Sequence, residues 1–128
     1  MAIKHNRRKF ARYGVGSLGV SLYRTGLLSF FLGRIDVRAI DFNAAGLAFR
    51  YSRPLSPGQP LLMDLVTDQH RVSRVVVVVR CITRMENHFR CGVEFDYDAN
   101  EYMRSDVVKE TLKNIERLLN EVVILAAE

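Results

Sequence analysis

The sequence predicts an all-β domain with one helix: a six-stranded antiparallel β-barrel followed by a long C-terminal α-helix. Three observations carry that expectation. Short alternating or β-branched segments recur between Gly- and Pro-containing turns. Five consecutive valines, Val75–Val79, favour extended backbone over helix. Beyond Asp98 the apolar spacing changes from two to a repeating three and four. The chain has 128 residues, 48% hydrophobic and 26% charged, which fits one globular domain. Its longest apolar runs, Val75–Val79 and Val122–Ala127, fall far short of the roughly 20 residues that span a bilayer. No apolar segment follows the basic N-terminus closely enough for a signal peptide, and two cysteines make no disulfide scaffold. The expected setting is therefore the reducing cytoplasm.

Taken in order, Val15–Arg24 reads as a strand loosened by Gly16 and Gly19, and Thr25-Gly26 breaks it. Leu27–Leu32 is a short apolar stretch that Gly33 closes. Arg34–Ile40 alternates, with Ile35, Val37 and Ala39 on one face and Arg34, Asp36 and Arg38 on the other. Gly46–Tyr51 continues the sheet. Arg53-Pro54-Leu55-Ser56-Pro57-Gly58 is a strong turn, since Pro57 presets φ and Gly58 tolerates a positive one. Leu61–Thr67, Val72–Thr83 and Phe89–Phe95 are the remaining strands, joined at Asp68-Gln69 and at Glu86-Asn87-His88.

The last quarter reads as helix over Asn100–Ala127, with Asp98 as cap and Glu101 completing a capping box. Val108, Leu112, Ile115, Leu119, Val122 and Ala126 form its stripe, close to heptad phase. Such a helix is roughly 40 Å long, longer than the barrel is wide. Its first half is expected to cover the barrel. Its second half is expected to overhang and to serve a partner helix or a homo-oligomer.

The formal net charge of +5 resides in one place. Lys4, Arg7, Arg8, Lys9 and Arg12 fall within the first twelve residues without an acid, leaving 14 basic and 14 acidic residues in the rest. The chain thus divides into a flexible basic arm over 1–13, a barrel over 14–97 and a helix over 98–128. An arm of this kind suits a phosphate-bearing partner, or is simply a solvated tail. Within it, Arg8-Lys9-Phe10-Ala11-Arg12 is an RxxxR element. The same spacing recurs at Arg34/Arg38 and Arg80/Arg84, but only the first lies in an uncompensated basic cluster. A second element, Asp41-Phe42-Asn43-Ala44-Ala45-Gly46, lies between two strands. Asp41 can accept from nucleobase N–H groups, Asn43 can donate and accept, and Gly46 permits a tight bend. The same residues also favour an ordinary turn.

In this order and spacing the two elements resemble the PilZ family of bacterial cyclic di-GMP receptors, with RxxxR followed by (Asp/Asn)-x-Ser-x-x-Gly. Leu55-Ser56-Pro57-Gly58-Gln59-Pro60-Leu61 is similar to that family's Leu-x-Pro-Gly turn, and Arg90-Cys91-Gly92-Val93-Glu94-Phe95 to its Gly-Val-x-Phe final strand. The resemblance covers roughly residues 7–120 and implies a stand-alone, non-enzymatic receptor. It implies that Arg8 and Arg12 grip guanine or phosphate, with Arg7 adding charge. Asp41 takes the guanine's donor edge, Asn43 bonds nearby and Gly46 completes the turn. Asn43 stands where the family pattern has Ser. Arg7, directly ahead of the motif, resembles members that bind a ligand dimer. The ligand would order the arm and change the surface shown to a downstream protein. No cofactor is implied, and Arg80 is expected to stand apart from the site.

Other chemistry is less well supported. His5, His70 and His88 lack metal-ligand spacing. Cys81 and Cys91 are expected opposite each other as buried thiols if the hairpin centres on Glu86. No catalytic set is recognisable, and Phe10, Tyr13, Tyr23 and Phe42 are expected in the core more than in base stacking. Two other readings stay open: an adaptor of the same fold that binds no nucleotide, and a nucleic-acid-binding barrel. Against the latter, positive charge is confined to the arm instead of spread over a strand face.

Overall fold

A computed structural model describes residues 14–23 and 33–121, together with the backbone of Phe10–Arg12 and Val122–Ile124. The expected stretch Leu27–Leu32 and the residues Arg7, Arg8 and His5 lie outside the described residues.

Six strands close into an antiparallel barrel. They are β2 (Gly19–Tyr23), β3 (Arg34–Asn43), β4 (Gly46–Tyr51), β5 (Pro60–Val66), β6 (Arg71–Arg84) and β7 (Phe89–Phe95). Their order around the wall is β2-β3-β4-β7-β6-β5. The interior follows from alternation: Val75, Val77 and Val79 of β6 point inward with Phe49, Met63, Leu65 and Cys91, all fully buried. The turn before β5 forms as the sequence predicts, with Gly58 at φ 88° and its N–H donated to the Val79 carbonyl.

The ladders slip by one residue at three places, one of them where β6 passes Met63–Leu65 and Arg74 takes φ 56°. In β3 the register shifts between Ala39 and Asp41, and in β6 between Val79 and Cys81. Each is a β-bulge that reverses which residues face out. Before its bulge β3 exposes Arg34, Asp36 and Arg38; after it, Asp41 and Asn43 are the exposed residues. The bulge after Val79 leaves Arg80 and Cys81, consecutive in sequence, both exposed. It also corrects the expected cysteine pairing. Cys81 lies opposite Gly92 and Cys91 opposite Ile82, so Cys91 is buried and Cys81 is not.

The single predicted helix is two. Asn100, not Asp98, caps α1 (Glu101–Arg104) by accepting from the Met103 N–H at 2.8 Å. Ser105 then leaves helical geometry (ψ 150°) and caps α2 (Asp106–Leu119), because its hydroxyl satisfies an N–H of the new helix. Val108, Leu112 and Ile115 are fully buried in the same core as the strands, with Leu119 nearly so. The four stripe residues within α2 are therefore packed inside the chain, whereas the side chains of Val122 and Ala126 lie outside the described residues. The helix also ends earlier than predicted. Asn120 closes it, its backbone and side-chain N–H groups both donating to the Glu116 carbonyl. The β-branched run that follows forms β8 (Val122–Ile124), paired antiparallel with β1 (Phe10–Arg12), Arg12 opposite Val122. Part of the arm expected to run free is thus a paired strand.

This packing makes α2 integral to the barrel. Leu112→Ala is expected to lower unfolding free energy by about 2–5 kcal/mol in urea denaturation. Val107→Ala, at a position 73% exposed on the same helix, is expected to change it by less than about 0.5 kcal/mol.

Candidate functional site

The β3 bulge places Asp41 and Asn43 on the outside of the barrel, at the edge of a shallow concavity of about 340 Å³. Its floor crosses β4 and β7, where Ala48 stands opposite Gly92 and Gly92 opposite Cys81. With Gly46 one outward position along β4, this floor carries almost no side-chain bulk. Around it rise Asp41, Asn43, Arg80, Arg90 and Glu94. A flat ring can lie directly on such a shelf.

The rim is paired. Arg90 Nη2 donates to Asp41 Oδ2 at 3.1 Å, and Arg80 Nε to Glu94 Oε1 at 2.6 Å. Both pairs are exposed enough to exchange partners at little cost. Asp41, 65% exposed, keeps its second oxygen for a donor-bearing ligand edge. Asn43 instead builds the turn. Its Oδ1 accepts from the N–H groups of Ala45 (2.7 Å) and Gly46 (3.1 Å), leaving its NH2 to face outward chemistry. The ordinary-turn reading of this segment is therefore part of the site's construction.

The peptide between these residues is fastened to the rest of the protein. The Ala44 N–H donates to Glu116 Oε1 at 2.8 Å, and its carbonyl accepts from the Tyr97 hydroxyl. Burial, and then the neighbouring Glu116 carboxylate, push the Tyr97 phenol above its usual range, so it stays a donor. The Ala45 carbonyl accepts from the Phe95 N–H at 2.9 Å. One helical turn beyond Glu116, the Leu119 carbonyl accepts the Gly14 N–H at 2.9 Å. Gly14 lies two residues from Arg12. The last turn of α2 thus holds both the β3–β4 turn and the chain leaving β1.

Of the residues singled out from sequence, Asp41, Asn43 and Gly46 meet on this shelf, and the backbone of Arg12 is tied to it through α2. Arg7 and Arg8 lie outside the described residues. Arg80 does not stand apart: facing outward by alternation with the buried Val79, it lies on the wall of the same concavity. Arg90 and Gly92 were read only as part of the final strand, and none of Arg90, Ala48 and Gly92 was expected at the site. Their membership depends on strand register, although apolar spacing that slips from Ala39 to Phe42 and from Val79 to Ile82 marks two of the bulges in sequence. Of the other RxxxR arginines, Arg34 is bound to Asp64 and Arg80 to Glu94. Tyr23 lies outside the core, its hydroxyl on Asp64 and its ring under the Arg74 guanidinium. Phe42 packs edge-on against Phe95, as core. Among the described residues, no group of three His, Cys, Asp or Glu side chains could hold a metal ion. Nor is any described helix long and apolar enough to cross a membrane.

A family model described as the PilZ domain matches residues 6–113, a span that includes the RxxxR element, the Asp41–Gly46 turn and the bulges of β3 and β6. The chain belongs to the PilZ domain family. No curated protein matches it. The PilZ family comprises cyclic di-GMP receptors, and its domains are binding or adaptor domains.

Gly46 shows how tightly this PilZ barrel constrains its turn. A Cβ there would meet the Val93 carbonyl oxygen at 2.1 Å and Glu94 Cα at 3.1 Å, both backbone atoms of the adjacent strand. Gly46→Ala is expected to cost about 3 kcal/mol or more by thermal or urea unfolding. Gly16→Ala, where a Cβ would meet nothing within 4 Å, is expected to be neutral within about 0.5 kcal/mol.

Proposed function

We propose that this protein is a cyclic di-GMP receptor that binds the nucleotide on the Ala48–Gly92 shelf and closes its N-terminal arm over it. The observation that carries the reading is the meeting of Asp41, Asn43 and Arg90 around a floor of small residues, Gly46, Ala48 and Gly92. Guanine presents N–H donors on one edge and the O6 and N7 acceptors on another. Asp41 accepts from the first edge. Arg8 and Arg12 approach the second, or a phosphate, as bidentate forks. Arg90 leaves Asp41 and turns to the base face or to phosphate, since an exposed pair is easily exchanged.

Charge supports the division of labour. On the shelf itself Arg80 and Arg90 are offset by Glu94 and Asp41. Two phosphates therefore call for further cations, and the arm carries Arg7, Arg8, Lys9 and Arg12 with no acid among its first twelve residues. The arm is well anchored for this task, because Arg12 belongs to β1 and Gly14 is held by α2. Closure of the arm would alter the surface around β1, β8 and the end of α2, where a downstream protein would read the signal. A second messenger of this kind acts in the bacterial cytoplasm, the setting that the cysteine usage favours.

Isothermal titration of the intact protein tests the proposal. Cyclic di-GMP is expected to bind, and Arg8→Ala, Arg12→Ala or Asp41→Ala each to weaken binding about tenfold or more, as loss of a charge-assisted hydrogen bond implies. Lys113→Ala, on the exposed face of α2, is expected to leave it unchanged. Absence of binding heat from folded wild-type protein would favour the nucleotide-free adaptor instead.

A further inference from the structure

Beside the shelf the barrel carries an arrangement that sheets ordinarily avoid. Arg38 stands directly opposite Arg50 across β3–β4, and Arg50 directly opposite Arg90 across β4–β7. Residues opposite one another on adjacent strands share a face, and like charges so placed repel. Arg38 and Arg50 are exposed and Arg90 half-buried, so all three are on the outer wall.

Their compensation is thin. Arg90 has Asp41 at 3.1 Å. Among the described residues Arg50 has only the imidazole of His88, with Nη2 at 3.2 Å from Nδ1. Arg38 makes no ion pair or hydrogen bond among the described residues, and Asp36, two residues earlier on the same face, takes the Ser21 hydroxyl at 2.8 Å. Three guanidinium groups in a row thus face two exposed carboxylates, Asp36 and Asp41, of which only Asp41 is paired with the row. The row also divides two concavities: Arg50 lines one of about 360 Å³, with His88 and Asp36, and Arg90 lines the shelf. An anion resting on this ridge lies beside the position proposed for the base. Planar N–H forks in series match tetrahedral phosphate oxygens better than any single cation does.

We propose that Arg38, Arg50 and Arg90 form a phosphate-binding row that receives a phosphodiester of the nucleotide whose base lies on the adjoining shelf. The identity of the ligand rests on the receptor reading above; the row as an anion site does not. Its mutual repulsion is the counterpart of its function, since an anion relieves it.

Arg38→Gln, Arg50→Gln and the double variant test this in the intact protein, by calorimetry with cyclic di-GMP and by thermal unfolding with and without a few millimolar inorganic phosphate. Each single change is expected to weaken nucleotide affinity about three- to tenfold and to raise the melting temperature of the ligand-free protein. Phosphate is expected to raise the melting temperature of wild type more than that of the double variant, a difference that general salt effects do not produce. Unchanged nucleotide affinity in the double variant overturns the proposal. If wild type gives no heat with cyclic di-GMP, the receptor reading fails and the phosphate arm decides the row. A larger phosphate response in wild type sustains it, and equal responses overturn it.

Discussion

The site depends on one extra residue in β3. Side chains on a strand alternate, so inserting Ile40 between paired positions turns everything after it to the opposite face. Without the bulge, Asp41 and Asn43 would point towards Phe49 and Leu47, where an unpaired carboxylate is costly to bury. With it, the acid and the amide stand outside and Phe42 packs inward against Phe95. The bulge after Val79 in β6 repeats the device, bringing Cys81 out beside Arg80 and the same floor. The β3 slip turns an ordinary barrel wall into a polar rim, and the β6 slip adds the Cys81 thiol beside it.

Fixing that rim falls to the helix. The Ala44 peptide is bonded on both sides, by Glu116 and by Tyr97, so the turn has little freedom to drift. The same stretch of α2 holds Gly14, and the chain then doubles back to pair β8 with β1. Burial of Leu112 and Ile115 keeps the helix in place, and the helix in turn keeps turn and arm at one spacing. Packing energy in the core is in this way connected to the geometry of a surface site. The relation runs from apolar stripe to helix position, and from helix position to the residues proposed to grip a nucleotide.

Much of this was legible in the sequence, because it is local. The strands from Arg34 onward, the Pro57-Gly58 turn and the buried stripe on α2 follow from periodicity and turn chemistry. The Asp41–Gly46 element was recognisable as a turn and as a binding motif, and it is the turn in the structure. What escaped was decided by register or by competition between caps. Arg90 and the Arg38–Arg50–Arg90 row come from positions far apart in sequence, and pairing alone makes them neighbours. Ser105 interrupts a helix that periodicity would run through. Heptad-like spacing also concealed the strand at Val122–Ile124, whose three β-branched residues in succession were the available sign.

Cys81 offers the most direct measurement, since it is exposed on the wall of the shelf whereas burial raises the pKa of the Cys91 thiol and shields it from reagents. The alkylation rate of Cys81 should fall severalfold when cyclic di-GMP is added to saturation, because the base covers the floor beside it. An unchanged rate in the presence of saturating nucleotide would contradict the placement of the ligand on this face of the barrel.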